Sequence, residues 1–513
     1  MKINLFKTAG MIAILTIISK IFGFWRDLVI ANAYGASMVS DAFFYSYQIP
    51  SLALILLGGV GGPFHTATIS FFSKQILDTE VEIPKNVLKI FNSFVTLTAI
   101  VFGFLGVVCF LFPHKIITLI AAQAPVELVE LATNQLRIMS PIVLVGGVIG
   151  ILYGIANVYK EFVTPSLGPI FVSIGMIISL WICPDDATGN TLAWGFLVGA
   201  IGQLLYQIPS MLKNKVIYTP SFQFFTSDMR KINEVLFPAI LSTTIGQTNV
   251  YIDMFFTSGL QEGAWSAISY SNRLYQFPAG VLITAFLVPL FPMFSSFIGQ
   301  KDWASLKLYF NKGLSTLWFL AFPICMFMFL FSQDAIYLLF QRGAFDGEDT
   351  VLVTKALLFL SVSIIPYVAR DTLTRVFYSF DDSKTPFMVA GLSILVKIIM
   401  NMLCVEKFGL AGITLSTTAV TFFNMFMLGI LLKKKIDMEY NKLLPSLLKI
   451  SLITMIVYST GLFLKSLWQP VDKMFLSLDM IFVLFVCAVF YFVLALFFKV
   501  PVAEQIFSRL KLR

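Results

Sequence analysis

The stretch GASMVSDAFFYSYQIP (35–50) returns later in the chain as GAWSAISYSNRLYQFP (263–278). Aligned without a gap, Gly35, Ala36, Tyr47, Gln48 and Pro50 meet Gly263, Ala264, Tyr275, Gln276 and Pro278. At nearly the same separation, Ser140, Thr164 and Pro165 meet Ser361, Thr385 and Pro386. Two ordered matches of this kind indicate an internal repeat.

What repeats is membrane-spanning. The 513 residues are 58% hydrophobic and 12% charged, with a mean hydropathy of +0.86. A soluble chain carries about 25% charged residues. Half that charge cannot cover a soluble surface. The balance excludes a secreted, disordered or nucleic-acid-binding protein, despite a net charge of +8.

A helix needs about 20 apolar residues to cross the hydrocarbon core. Fourteen such stretches are predicted, at 8–33, 41–72, 88–112, 130–158, 162–183, 191–212, 232–258, 264–297, 307–331, 351–378, 386–405, 410–432, 444–466 and 475–499. Six spans, an even number, separate the repeated motifs. The two copies then share one orientation, as in transporters built from parallel repeats. The expected fold is an all-α polytopic membrane protein of two six-helix lobes, 1–222 and 223–440, with two extra spans in 441–513. The long second and eighth spans hold Pro50 and Pro278, and the second also holds the glycine cluster at 58–62. Both are expected to be kinked or broken. The apolar N-terminal stretch reads as the first span rather than a cleaved leader.

Orientation follows from Lys and Arg. Between spans, the side opposite the termini carries Lys115, Arg342, Lys355, Lys407, Lys465 and Lys473, and the other side carries the large majority. The positive-inside rule puts both termini in the cytoplasm. The five cysteines form no CxxC pair and read as buried free thiols. His65 and His114 are far apart, so no metal site is expected.

Seven cations fall inside the spans: Lys20, Arg26, Arg137, Arg273, Arg370, Arg375 and Lys397. The acids there are Asp27, Asp41, Asp253 and Asp371. A charge at mid-bilayer costs about 2.5–3.5 kcal/mol on insertion scales, so it faces protein or water. Snorkelling near helix ends is the ordinary reading for Arg137, Arg370, Arg375 and Lys397. It fits Lys20 and Arg273 poorly, since both lie deep in their spans. Arg26 has Asp27 or Asp41 as possible partners. The surplus of fixed cations calls for an anionic ligand, phosphate or carboxylate.

The run SKIFGFWRDLVIANAYGASMVSDAFF (19–44), with YSNRLYQFPAGVL (270–282), LLFQRGAF (338–345) and VFYSFDDSKTP (376–386), resembles the MurJ/MviN lipid II flippases. These belong to the multidrug/oligosaccharidyl-lipid/polysaccharide (MOP) exporter superfamily. The resemblance covers the whole chain. It implies alternating access around a cationic central cavity, moving lipid II, an undecaprenyl-pyrophosphate-linked disaccharide-pentapeptide, from the inner to the outer leaflet. It implies a substrate site of Lys20, Arg26, Asp41 and Arg273, with the cations on the pyrophosphate, and it makes the two extra spans a groove for the lipid tail. It implies the bacterial inner membrane, membrane lipids and the cell-wall synthesis machinery as surroundings, and no cofactor. Na+ or H+ is the coupling ion it suggests, at Asp253, Asn401 and Thr421, with Thr417 an alternative to Thr421. For Asp253 a proton-bearing or hydrogen-bonded acid is an equal reading. The segment SLALILLGGVGGPFH (51–65) departs from the family, many of whose members carry charges there.

Two rivals stand beside this reading. One is another superfamily member, such as an O-antigen-type polysaccharide-lipid flippase; a cationic-drug antiporter would want an acidic cavity. The other is a membrane glycosyltransferase or phosphatase using Asp185–Asp186 or Asp381–Asp382, for which turn chemistry is the simpler account. No P-loop is present, so ATP hydrolysis by this chain is not expected.

Overall fold

The structure, a computed structural model, describes residues 5–76, 84–184, 186–467 and 472–511. All regular elements among them are helices. In lipid a backbone must satisfy its own hydrogen bonds, and helices do this within one segment.

Nine of these helices are long and apolar enough to cross a bilayer. Two bent pairs raise that to eleven: Ala264–Leu287 with Pro289–Gly299, bent by 41°, and Gly347–Val362 with Ile364–Ser379, bent by 44°. The three remaining expected spans are also helical: Leu5–Tyr34, the interrupted stretch 38–72, and Ser227–Thr257. These are the spans that hold Lys20, Arg26, Asp27, Asp41 and Asp253.

The repeat is visible in local geometry. Gly35 and Gly263 both take positive φ, 60° and 78°. Pro50 lies near the end of the Met38–Ser51 helix, and the π-helical turn Leu52–Leu57 follows it. Pro278 lies in Ala264–Leu282, and the π-helical turn Ile283–Leu287 follows. A proline removes one backbone donor and crowds the preceding turn, and the wider π turn absorbs the mismatch. After the first π turn the chain breaks at 58–62 and resumes as Pro63–Phe72. The second motif behaves alike: a break at Ser140 separates Val126–Met139 from Pro141–Val158, and a break at Ser363 separates Gly347–Val362 from Ile364–Ser379.

The chain forms two compact units, residues 1–266 with 342–345, and residues 267–341 with 346–513. In the first, Phe64, Phe72, Phe91, Phe94, Ile151, Met229 and Ile232 are buried together. The short 342–345 segment is tied in by the Ala344 N–H, which donates to the Asn32 carbonyl at 2.9 Å. Gly343 sits at φ 58°, and a Cβ there would lie 2.3 Å from that same carbonyl, so only glycine fits.

In the second unit, the 37-residue helix Trp303–Leu339 kinks at Phe331. The two C-terminal spans pack on it. The Tyr491 hydroxyl donates to the Phe319 carbonyl at 2.9 Å. Lys465 pairs with Asp334 and donates to the Leu330 carbonyl at 3.1 Å, a carbonyl beside the kink. Most of the surface of these two spans is apolar and exposed, as lipid contact requires. A further amphipathic helix, Pro501–Lys511, follows them.

One expectation needs correction, and the turn reading of Asp186 holds. Cys183 is exposed, while Cys109, Cys325, Cys404 and Cys487 are buried. The helix Val163–Ile182 ends at Cys183, which leaves the thiol beyond the packed turns. Asp185 lies outside the described residues. Asp186 accepts the Thr188 N–H at 2.9 Å and the Thr191 N–H at 2.7 Å, the pattern of a structural turn.

Candidate functional site

The polar groups of the spans sort into three clusters. The first surrounds the Leu5–Tyr34 helix. Lys20 is exposed on it. Arg26, 8% exposed, donates to one Asp27 carboxylate oxygen from Nε at 3.0 Å and from a terminal nitrogen at 2.7 Å. Of its two possible acids, Arg26 is thus paired with Asp27.

Asp41 does different work. It is buried, and it accepts the Gly263 N–H at 2.9 Å, the Ser266 N–H at 2.6 Å and the Ser266 hydroxyl at 2.7 Å. The first N–H groups of a helix have no partner within it. Asp41 supplies that partner to Ala264–Leu282 from a distant helix, and its charge suits the positive helix end. Glu262 returns the contact, accepting the Met38 N–H at 2.7 Å at the start of Met38–Ser51. The two repeat-related turns therefore cap each other. They also touch: a Cβ on Gly263 would meet the Ala36 carbonyl at 2.0 Å. Nearby, the Tyr45 hydroxyl donates to the Met254 carbonyl at 3.0 Å, and its ring stacks on Trp265.

The second cluster belongs to the second unit. Arg273 is half-buried on Ala264–Leu282. Arg370 and Arg375 share Asp371, at 3.5 and 3.7 Å. The Arg370 guanidinium lies over the Tyr367 ring at 4.4 Å, and Tyr367 meets Tyr275 edge-on. Both arginines are partly exposed and have this carboxylate on their own helix as an ion-pair partner. Arg137 is exposed in the last turn of Val126–Met139 and does fit a helix-end role.

The third cluster joins Lys384–Phe408 to Leu410–Ile436. Lys397 is 1% exposed, so it does not snorkel. Its ammonium donates to the Thr417 hydroxyl at 2.6 Å and the Ser416 hydroxyl at 3.0 Å. The Ser416 hydroxyl in turn donates to the fully buried Asn401 side chain. Asn401 is thereby brought close to Thr417. Thr421 instead donates to the Thr417 carbonyl at 2.8 Å. Asp253 belongs to the first unit, is half-buried, and its carbonyl accepts the Thr257 hydroxyl at 2.6 Å.

One feature had no signal in the sequence. Trp25, Leu28, Asn32, Trp181, Pro184 and Arg342 line a cleft of about 520 Å³, with Trp25 and Trp181 edge to face at 6.1 Å. Its walls come from three separated segments, which no local pattern joins.

The family model described as lipid II flippase MurJ matches residues 30–484. A probable lipid II flippase MurJ from Synechocystis sp. is 32% identical over 435 residues, covering 82% of this chain and 80% of that one. A solved structure of lipid II flippase MurJ in an inward closed conformation superposes with a TM-score of 0.79 at 24% identity, covering 95% of this chain and 99% of that one. An inward-facing MATE-family multidrug transporter of the MOP superfamily superposes with a TM-score of 0.60 at 14% identity, covering 82% and 94%. The structural likenesses establish the fold, and the sequence matches establish the kinship. On these matches, the chain belongs to the MurJ lipid II flippase family.

Proposed function

We propose that the chain moves lipid II from the inner to the outer leaflet of the bacterial inner membrane, as a transporter and not an enzyme, with both termini in the cytoplasm. One observation supports the reading beyond kinship: Lys20, Arg26, Asp41 and Asp253 stand on helices at the places of expected membrane spans, with Arg26 and Asp41 buried there. Polar residues at bilayer depth are expensive, and they mark a path for a polar ligand.

In this proposal Lys20 and Arg273 engage the pyrophosphate as the two lobes alternate access around a cationic cavity. Arg26 joins them by exchanging Asp27 for the ligand. Asp41 acts by holding the start of the helix that bears Arg273. The polyprenyl tail stays in lipid along the two C-terminal spans. No cofactor is needed. The membrane potential acts on the fixed cations, each worth about 2.3 kcal/mol per 100 mV if it crosses the whole field. Association with cell-wall synthesis proteins would place the chain where its substrate is made and used.

Native mass spectrometry of the purified chain tests the substrate. Retention of lipid II in preference to other polyprenyl-pyrophosphate glycans supports the reading. Preference for an O-antigen-type glycan lipid would favour a polysaccharide-lipid flippase instead.

A further inference from the structure

Lys397 and Asn401 are one turn apart on Lys384–Phe408, so their side chains share a face. Across from them, Ser416 and Thr417 are consecutive on Leu410–Ile436. The hydroxyls of Ser416 and Thr417 accept from the Lys397 ammonium at 3.0 and 2.6 Å. Ser416 spends its proton on the Asn401 amide oxygen or the Ile413 carbonyl, the latter at 2.8 Å. Thr417 has the Ile413 carbonyl at 3.1 Å. With their protons directed at carbonyls, both hydroxyls present lone pairs to the ammonium. Lys397, Asn401 and Ser416 are at most 1% exposed.

A buried ammonium needs oxygen partners, because losing water without replacement is very costly. Hydroxyl and amide oxygens of this kind are also what holds a dissolved monovalent cation. Both occupants want the same lone pairs, and they cannot share them. We propose that Asn401, Ser416 and Thr417 form a monovalent-cation pocket whose resident is the chain's own Lys397 ammonium. The protein carries a tethered cation there, and dissolved Na+ has no place at those oxygens while Lys397 remains. Transport by the wild-type chain is then indifferent to Na+. The substrate assignment plays no part in this inference.

The test uses purified full-length chain in detergent without lipid II. Melting temperature is compared in sodium chloride, methylammonium chloride and choline chloride at equal ionic strength. Wild type is expected to melt at the same temperature in all three. Lys397→Ala vacates the pocket and is expected to melt lower in choline, recovering by several degrees in sodium or methylammonium, since a ligand that binds only the folded state stabilises it. An Ala variant recovered intact only when one of those cations is present gives the same support. A saturable rise of wild type in sodium would overturn the proposal. So would an Ala variant, folded or not, that neither cation improves. A Lys397→Met variant provides the parallel case, its longer side chain filling the space that Ala leaves open.

Discussion

Asp41 accepts both the backbone N–H and the hydroxyl of Ser266, at 2.6 and 2.7 Å, and so caps the helix that opens the second copy of the repeat. Removing the carboxylate orphans these donors and the Gly263 N–H. Leaving buried donors unsatisfied costs about 1–3 kcal/mol each way it has been measured. Asp41→Ala is therefore expected to lower the melting temperature, and Asp41→Asn, which keeps one acceptor oxygen, to lower it less. Equal melting of Asp41→Ala and wild type would show that the cap contributes nothing.

Arg26 and Asp27 form a buried pair, and breaking such a pair from one side costs about 3–5 kcal/mol, because the remaining charge is stranded. Arg26→Ala should destabilise the chain more than the double variant Arg26→Ala/Asp27→Ala. A double-mutant cycle on melting reads this directly. Additive losses would mean that the two charges are not coupled.

Lys20 is exposed and Arg273 half-buried. Lys20→Arg is expected to support growth of a flippase-depleted strain, since it keeps the positive charge at that position. Lys20→Ala and Arg273→Ala are expected to insert at normal levels and fail to support growth, and Arg26→Ala to fail while also losing stability. Normal growth of the Arg26 and Arg273 variants would remove the cationic-cavity account.

Asp382, in the turn before Lys384–Phe408, is bound by Lys435 at 2.6 Å and by the Thr385 N–H at 3.0 Å. The Lys435 hydrogen bond holds its carboxyl below the usual carboxylate range, against some burial. Its folded pKa is thus depressed. The stability it adds is present in full above the unfolded value of about 3.9 and is lost as pH falls through the folded value. Asp382→Asn should lower melting at neutral pH and flatten the decline of melting temperature on the acid side. An unchanged acid slope would separate this ion pair from the acid sensitivity of the fold.

Much of the architecture was legible because membrane helices announce themselves by length and apolarity, and because a proline in a span leaves few structural outcomes. Pro50 and Pro278 therefore marked the two interruptions, which are π turns, and the repeat aligned Gly35 with Gly263, both at positive φ. Partner choice was not legible. Nothing local told Arg26 to take Asp27, or sent Asp41 to a helix end more than two hundred residues away. Lys397 misled for a related reason. Its span is apolar on average, and the hydroxyls that receive its ammonium stand on the next helix, where nothing local ties Ser416 and Thr417 to a lysine. The cleft at Trp25 and Trp181 likewise depends on segments that meet only in the folded chain.

The most direct measurement is the amount of lipid II accessible at the outer face of cells depleted of their own flippase and supplied with this chain. Expression is expected to restore outer-face lipid II, and the inserted Arg273→Ala variant to leave it in the inner leaflet. Wild-type chain at normal membrane levels with lipid II still confined to the inner leaflet would contradict the account.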